Sequence, residues 1–397
     1  MPFARWGRTS RPGACGAVLA LLGGALAACG EPGGPGSVRV RERWFEAQTG
    51  SSRAQPAAAG ELVYFGTGDG QVIARERATG RPRWTTTVSL NTAVEGANLI
   101  ARSGVVVAPV VTWTFGLDAA TGRELWRYQP PRDVPANPAN PPPGQVAATH
   151  IDADDQTVYL GAWGASVSAL DLRTGAARWV WKTPDTASTR SGSMGVRLSG
   201  DTLYATVWHD VPPVGAKCEP WVVALNKHTG AELWRAVLPA TSSGACVLGA
   251  AAVYQHLVIV STLDGHLYAV DSRTQQVAWH DRREVQWAQL SLPVVVDGVL
   301  YLDGADGRLY ARRPTDGAVL WSAEHAGQVG GPPTVSGQRV YISDLSQLFI
   351  FDRATGRRVT VLDPPRSDPI IFNAPPLVVD GQVFAPASNG AWSFDEP

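Results

Sequence analysis

The chain has 397 residues, and its 34 lysine and arginine residues against 35 aspartate and glutamate residues give a formal net charge of −1. It contains no basic block, which excludes a protein organised around nucleic-acid phosphates. Hydrophobic residues make up 44% and charged residues 17%, with 42 glycines and 30 prolines. This composition is typical of a turn-rich all-β domain with a large core.

The first 28 residues have the features of an export signal. Arg5, Arg8 and Arg11 form a basic leader without acids, and an apolar run from Ala14 to Ala28 has the length of a signal-peptide core. The run ends in Leu-Ala-Ala before Cys29, which is similar to a bacterial lipobox. We expect Cys29 to be acylated as the first residue of the mature protein. The alternative is an ordinary cleavage site followed by an incidental cysteine.

Residues 29–37, rich in Gly and Pro, read as a flexible tether. Two or three acyl chains, at about 0.8 kcal/mol per buried CH₂, would hold the domain firmly on a membrane. Gly30 after the lipid site favours the periplasmic face of an outer membrane in a cell with two membranes. In a cell with one membrane, we expect the outer face of the plasma membrane.

A ten-residue motif recurs at intervals of 39 to 55 residues. An apolar residue and Asp are followed by two spacers, Thr-Gly and a Trp four residues after the Gly, as in Leu117–Trp126; the seventh copy has Thr360 at the Trp position. Intervals near forty residues predict a repeat architecture. We expect the Trp residues to pack between neighbouring repeats rather than to bind a cofactor. They are Trp44, Trp84, Trp126, Trp179, Trp234, Trp279 and Trp321.

Two apolar runs joined by a short polar turn precede each Thr-Gly. The turns include Asp69-Gly70, Asp264-Gly265 and Asp306-Gly307. Asp-Gly in this setting favours a type I′ hairpin, in which both turn residues have positive φ. Thr-Gly forms a second turn, the Trp lies on the next strand, and a further short run supplies a fourth strand. Four short strands per repeat, without helical periodicity, predict a β-propeller.

Eight hairpins can be counted, and they begin near Glu61, Ser103, Gln156, Asp201, His256, Gly298, Gln338 and Gly381. The eighth has no Trp strand after it, whereas Val38–Phe45 is a Trp strand without a hairpin. We therefore expect residues 38–397 to form one eight-bladed β-propeller that the N-terminal strand closes, which leaves few free strand edges.

Two insertions interrupt the repeats. Residues 129–144 are proline-rich and are expected to form a polyproline-like surface loop, either a partner surface or a decoration without a partner. The second insertion holds Cys218, and Cys246 begins the next blade. In an oxidising envelope a disulfide between them is expected. Two buried thiols or a metal pair are the alternatives, although no His or carboxylate is spaced as a zinc partner.

The search for catalytic motifs is negative, because no nucleophile elbow, phosphate loop or His-Glu-x-x-His sequence appears. The strands expected to line the channel carry polar and aromatic residues that could form a ligand site: Arg53, His150, Arg190, Trp287 and Asn373, with Glu95, Asp152, Arg197 and Gln289 nearby. Trp287 is the best candidate to stack on a ligand. We predict no metal site.

The repeat in Ser168–Trp179 resembles the tryptophan-docking motif of the pyrroloquinoline-quinone (PQQ) propeller superfamily, over essentially residues 38–397. This resemblance implies an eight-bladed propeller and says little about activity. The superfamily holds quinoprotein alcohol dehydrogenases and also the lipoprotein propeller of the outer-membrane β-barrel assembly machine. The adjacent cysteines of many dehydrogenases are missing here. Residues 190–197 replace the segment with which the assembly lipoprotein helps to contact its partner.

We expect a non-catalytic, monomeric, lipid-anchored propeller that binds protein partners in the cell envelope, with barrel assembly as the favoured role. No cofactor and no nucleic acid are expected. The alternatives are a PQQ-dependent oxidoreductase, which would bind PQQ with calcium, and a ligand-binding or sensory propeller.

Overall fold

The computed structural model describes most of the chain from residue 40 to residue 397. The leader, Cys29 and the tether lie outside the described residues. The described residues are 40–48, 54–90, 93–94, 98–110, 112–131, 148–162, 166–183, 191–211, 217–239, 241, 246–247, 249–282, 291–325, 331–343, 347–362, 372 and 374–397.

Eight antiparallel sheets of four strands each form eight blades, and in the first seven the chain runs from the inner to the outer strand. The first four blades contain β2 (Ala57–Ala59), β3 (Leu62–Gly66), β4 (Gln71–Glu76) and β5 (Pro82–Thr87); β6 (Ile100–Arg102), β7 (Val105–Pro109), β8 (Thr114–Asp118) and β9 (Glu124–Tyr128); β10 (Ala148–Ala153), β11 (Thr157–Ala162), β12 (Ser166–Asp171) and β13 (Ala177–Lys182); and β14 (Ser191–Ser199), β15 (Thr202–Val211), β16 (Lys217–Asn226) and β17 (Glu232–Val237).

The last blade is built from both ends of this part of the chain, because β1 (Glu42–Ala47) is its outer strand. Blades 5 to 8 contain β18 (Ala252–Tyr254), β19 (Leu257–Ser261), β20 (His266–Asp271) and β21 (Gln276–Arg282); β22 (Val294–Val296), β23 (Val299–Gly304), β24 (Arg308–Arg312) and β25 (Val319–Glu324); β26 (Thr334–Ser336), β27 (Arg339–Ser343), β28 (Leu348–Asp352) and β29 (Arg358–Leu362); and β30 (Leu377–Val379), β31 (Gln382–Ala387), β32 (Gly390–Asp395) and β1.

The eight-bladed all-β propeller predicted from the repeats is confirmed. The described residues form no helix, and therefore no helix long and apolar enough to cross a membrane. The closing strand runs from Glu42 to Ala47, and it is displaced toward the C-terminus from the predicted Val38–Phe45. Its Trp44 packs with Phe65 of blade 1 and Phe384 of blade 8, which joins the two ends of the ring.

The middle strands of the blades are buried on both faces. All five residues of β7 and of β19 are buried, whereas the outer strand β5 alternates between exposed and half-buried residues. A middle strand lies between the two neighbouring blades as well as between two strands of its own sheet, so both of its faces meet apolar side chains. This explains why the sequence shows continuous apolar runs there instead of strict alternation.

The prediction of type I′ turns at Asp69-Gly70, Asp264-Gly265 and Asp306-Gly307 is wrong. Only the glycine of each pair has positive φ, and the chain folds as a three-residue loop in which the glycine forms a bulge. Type I′ geometry occurs instead in the turns between the first and second strands of a blade. Asp297-Gly298 and Asp380-Gly381 form two of these turns, and both residues of each pair have positive φ. Those loops have two residues between strands, which is the length that requires the type I′ twist.

The repeated Trp docks on the Thr-Gly turn of the following blade. The indole Nε1 of Trp126 donates to the Leu172 carbonyl at 2.9 Å, and the ring lies so close to Gly175 that a Cβ there would meet Cδ2 of Trp126 at 2.6 Å. The glycine has φ of 69°. Glycine is needed at this turn for both its conformation and its lack of a side chain. The same indole donation to a turn carbonyl is found for Trp44, Trp84, Trp179, Trp279 and Trp321.

The fifth blade departs from this pattern, since its Thr-Gly position holds Gln275 with φ of 62°. A residue with a Cβ in the left-handed region costs roughly 1 kcal/mol. The Trp that belongs to this junction, Trp234, is half-buried and packs against Tyr204 with ring centroids 5.9 Å apart. At this junction Gln275 therefore has a strained backbone, and it places a side chain where the other junctions have a glycine.

A buried His–Asp pair lies inside blade 6. Nε2 of His325 is 2.7 Å from Oδ1 of Asp303, and neither side chain has exposed surface. Burial raises the pKa of Asp303, while the hydrogen bond from His325 acts in the opposite direction. Both residues lie near the loop end of the blade, where Ser291 also bonds the Asp303 backbone.

We predict that Gln275→Gly raises the free energy of unfolding by about 0.5–1 kcal/mol, because glycine adopts this φ without strain. Urea denaturation of the purified propeller measures the change. The matched control, Gly230→Gln, should destabilise, since a Cβ at Gly230 would meet the Trp179 ring at 2.6 Å. Equal or lower stability of the Gln275→Gly protein would show that the junction is already relaxed.

Candidate functional site

The inner strands enclose a cavity of about 480 Å³ on the propeller axis. Most inner strands have only three residues, so the chain segments that precede them also line the axis. Blades 1 to 4 contribute Gln55, Asn98, Arg102, His150, Asp152 and Arg197 to the wall. Arg102 and Val296 are the last residues of their inner strands, so the cavity reaches the end of the channel at which the turns to the second strands lie.

Side-chain amides on the cavity wall hold neighbouring blades together. Asn98 of blade 2 donates to the Ile151 carbonyl at 3.1 Å and accepts from the Ile151 amide at 3.3 Å. Gln55 of blade 1 and Thr334 of blade 7 both donate to the Pro376 carbonyl of blade 8, at 3.1 and 2.8 Å. These polar groups act as structural links between blades, since their hydrogen bonds are made to neighbouring backbone groups.

Asp152 is the one acidic residue among the described residues of the wall, and its carboxylate is already engaged. It accepts hydrogen bonds from the amides of Ala153 at 2.8 Å and Leu198 at 2.9 Å. Arg197 lies 3.7 Å from the same carboxylate. Because two backbone amides and a guanidinium already contact this carboxylate, it is a poor candidate for a general base.

Two arginines approach the inner strand of blade 3 from opposite sides. Arg102 of blade 2 donates to the Ala153 carbonyl and pairs with Asp155 at 3.1 Å. Arg197 of blade 4 donates to the Ala251 carbonyl at 3.3 Å and faces Asp152. The side chains of Arg102 and Arg197 keep 46% and 44% exposure, so both guanidinium groups remain open to the cavity and solvent.

His150 lies against two glycines, Gly195 and Gly249, which make room for it. A Cβ on Gly195 would meet Cβ of His150 at 2.7 Å, and one on Gly249 would lie 3.3 Å from its Nδ1. Burial, and secondarily the charge of Arg197, lower the pKa of His150 to about 3. The imidazole is therefore neutral at physiological pH and can offer one donor and one acceptor.

Apart from Thr334, the described residues with which blades 6 and 7 line the cavity are apolar. Pro293, Val294, Pro332, Pro333 and Val335 line it. Proline has no backbone donor, so this wall presents few hydrogen-bonding groups. The cavity thus has one polar, cationic side and one aliphatic side.

The described part of this cavity does not fit PQQ with calcium. Apart from the imidazole of His150, no described residue on its wall has an aromatic ring on which a quinone could stack. Asp152 is committed to backbone amides, and the described residues contain no cluster of three metal-ligating side chains. Calcium requires six to eight oxygen ligands, which the described residues of this wall do not assemble.

A second feature is the hairpin of β15 and β16, whose strands of ten residues each are the longest described. A disulfide joins Cys218 at its end to Cys246 before blade 5, as predicted from the cysteine count. His209 stacks on Trp221 with centroids 4.8 Å apart, and the guanidinium of Arg235 lies 4.9 Å from the same ring. The hairpin is therefore braced both covalently and by stacking.

The structure describes only part of the site predicted from sequence. His150 lines the cavity as expected, with Asp152 and Arg197 beside it. Arg53, Glu95, Arg190, Trp287, Gln289 and Asn373 lie outside the described residues, as do Cys29 and residues 132–144. The sequence analysis missed Gln55, Asn98, Arg102 and Thr334. Their position just before or within a three-residue apolar run at the start of each repeat is the signal that could have found them.

Eight four-stranded blades with Trp docking at the blade junctions define a PQQ-like β-propeller. The chain belongs to the family described as outer membrane protein assembly factor BamB, whose model matches residues 35–211 and 180–396. It is 30% identical over 195 residues to the BamB of Moranella endobia (strain PCIT); the match covers 43% of this chain and 48% of the relative, so the chain spans about half of that relative's length.

Solved structures share the fold. BamB from Moraxella catarrhalis superposes with a TM-score of 0.58 at 19% identity, over 75% of this chain and 82% of that one. Quinohemoprotein alcohol dehydrogenase from Comamonas testosteroni superposes with a TM-score of 0.68 at 14% identity, over 90% of this chain and 76% of the dehydrogenase. At these identities the likeness establishes the propeller fold and leaves the activity to be argued from the residues.

We predict that His150 makes the propeller sensitive to acid. The unfolded imidazole titrates near pH 6.5, whereas the folded one has a pKa of about 3. Below pH 6.5 the unfolded chain therefore binds a proton at His150 that the folded chain does not bind. The contribution of His150 to the free energy of unfolding is complete above pH 6.5 and falls as the pH decreases toward 3.

Urea midpoints at pH 7.5 and pH 5.0 measure this effect. His150→Gln should lose less stability between the two pH values than the native protein, whereas His228→Gln, at an exposed position, should behave like the native protein. An equal loss in the native and His150→Gln proteins would contradict the prediction.

We also predict that the double variant Cys218→Ser and Cys246→Ser is less stable by about 3 kcal/mol, because the loop of 28 residues is no longer closed in the unfolded chain. Denaturation of the oxidised and reduced native protein provides the matched comparison. A reduced protein with an unchanged midpoint would mean that stacking alone holds the hairpin.

Proposed function

We propose that this protein is a non-catalytic, lipid-anchored propeller that serves as a protein–protein scaffold in outer-membrane protein assembly. The observation that carries the proposal is the match of the BamB family model, in two overlapping segments, to residues 35–396. The relative from Moranella endobia and the structure from Moraxella catarrhalis carry the same description.

A surface suited to partner binding lies on the outer strands of blades 4 to 6. Aliphatic side chains there are 40% to 52% exposed, and we call this surface the apolar rim: Leu233, Val237, Val277, Val319 and Leu320. Exposed apolar groups on consecutive blades mark an interaction surface better than scattered ones do. The corresponding position before the docking Trp holds Arg83 in blade 1 and Arg178 in blade 3, whereas blade 2 has Leu125, which is half-buried.

The outer strands also occupy the edges of their sheets. An edge strand presents unpaired backbone groups that can pair with an extended segment of another protein. A partner with an exposed strand of alternating apolar residues would complement both the backbone edge and the apolar rim.

Two features support an envelope location. The leader and the sequence before Cys29 resemble those of an exported lipoprotein. The Cys218–Cys246 disulfide is of the kind that persists in an oxidising compartment. Acylation of Cys29 would place the propeller on the membrane where outer-membrane assembly occurs.

We predict that the tagged, acylated protein, extracted from its own membranes in mild detergent, co-purifies stoichiometrically with an outer-membrane protein assembly component. Mass spectrometry identifies the partner. Leu233→Arg combined with Leu320→Arg should reduce its recovery at least tenfold, since two charges would have to be buried at the apolar rim.

Leu90→Arg is the matched control, because Leu90 is exposed but lies outside the apolar rim. Thermal melting confirms that each variant is folded. Recovery of the propeller alone would contradict the scaffold role, and full recovery with the rim variant would place the interface elsewhere.

The second candidate function is a PQQ-dependent oxidoreductase, which the fold shared with the Comamonas testosteroni dehydrogenase favours. The engaged Asp152 and the scarcity of aromatic rings on the described cavity wall speak against it. Dye-linked turnover after addition of PQQ and calcium would establish this alternative.

A further inference from the structure

We propose that the axial cavity binds a small organic carboxylate, whose charge is held by Arg197 and Arg102. The cavity lies inside the ring of inner strands, apart from the apolar rim, so this site does not depend on the scaffold role. No catalytic step is part of the proposal.

Among the described residues of the cavity wall, hydrogen bonding leaves an excess of donors. The acceptors are largely used: Asp152 binds two amides, and Asn98 is bonded in both directions to Ile151. Each guanidinium has five N–H donors. The contacts of Arg197 and Arg102 with protein groups use only part of them. A wall with spare donors favours a ligand that supplies oxygen acceptors and negative charge.

The two arginines contact adjacent residues of β10. Arg102 binds the carbonyl of Ala153, and Arg197 faces the carboxylate of Asp152, the adjacent residue on β10. They reach this strand from blades 2 and 4, on its two sides. Asp152 compensates part of the positive charge, and Asp155, which pairs with Arg102, is 80% exposed and therefore weakly held. An anion entering the cavity would meet both guanidinium groups beside one strand.

His150 adds a neutral polar group to the same wall. None of the described residues forms a hydrogen bond to its imidazole, and its burial keeps it uncharged at neutral pH. A neutral imidazole can donate to a carboxylate oxygen without the desolvation cost of a third cation. It is suited to orient the ligand.

The wall opposite the arginines favours an apolar body for the part of the ligand that does not carry the carboxylate. Pro293, Pro332 and Pro333, with Val294 and Val335, form an aliphatic surface. A volume of about 480 Å³ lies within the range of small-molecule sites. Phosphate shares the oxyanion chemistry, but it would leave the aliphatic wall in contact with water, so an organic acid with an apolar body satisfies both sides.

Isothermal titration calorimetry of the folded propeller with N-acetylphenylalanine tests the proposal. We expect saturable binding of one molecule per chain. N-acetylphenylalanine amide, which has the same body without the charge, should bind at least tenfold more weakly, and so should inorganic phosphate, which lacks the body. Phosphate binding as tight as that of the carboxylate would overturn the organic class, and binding of the amide as tight as that of the acid would overturn the role of the arginines.

Arg197→Gln should weaken N-acetylphenylalanine binding at least tenfold. Arg178→Gln is the matched control, because Arg178 is an arginine of 38% exposure that pairs with Asp171 on the outside of blade 3. If Arg197→Gln fails to fold, Arg102→Gln replaces it. Absence of saturable binding by the native protein, or unchanged binding by a folded cavity variant, would overturn the proposal.

Discussion

The docking of an indole on a left-handed glycine is the interaction on which this fold depends. Six of the seven repeat Trp residues lie on the outer strand of one blade, donate to a turn carbonyl of the next blade, and cover a glycine that has no side chain to obstruct them. The contact crosses a blade junction, so it fixes the angle between two sheets that share no strand. Because indole burial and hydrogen bonding are satisfied together, the same junction can be repeated around the ring.

Ring closure explains where the motif is missing. Blade 8 takes its outer strand β1 from the other end of the described chain, so no Thr-Gly turn connects β32 to that strand, and blade 7 correspondingly has Thr360 in place of Trp. That junction is held instead by Tyr341, which donates to Glu396 at 3.1 Å, and by Arg339, which donates to the Pro397 carbonyl at 3.2 Å. On the other side, Trp44 docks on Gly80 in the usual way.

The axial cavity and the apolar rim divide the propeller into two regions with different chemistry. Inner strands are short, and their polar side chains mostly bond the backbone of the next blade, which leaves the guanidinium groups of Arg102 and Arg197 with spare donors. Outer strands have free edges and expose aliphatic side chains on three consecutive blades. A scaffold role at the rim and a small ligand in the cavity are therefore compatible, because they use surfaces that do not overlap.

Repeat spacing in the sequence determined the blade count and the existence of a closing strand, because both depend on the match between the two ends of the repeat series. The Cys218–Cys246 disulfide was expected from the cysteine count, and the structure selected it over two buried thiols or a metal pair. The sequence did not determine the hairpin turns correctly, since Asp-Gly is compatible with both loop lengths and only the strand register selects between them. The cavity was predicted only in part. His150 was found from the sequence as a polar residue on an inner strand. The tertiary structure alone decided how Arg102 of blade 2 and Arg197 of blade 4 lie relative to blade 3, and it alone formed the buried Asp303–His325 pair. Contacts between residues distant in sequence arise only when the ring of blades assembles.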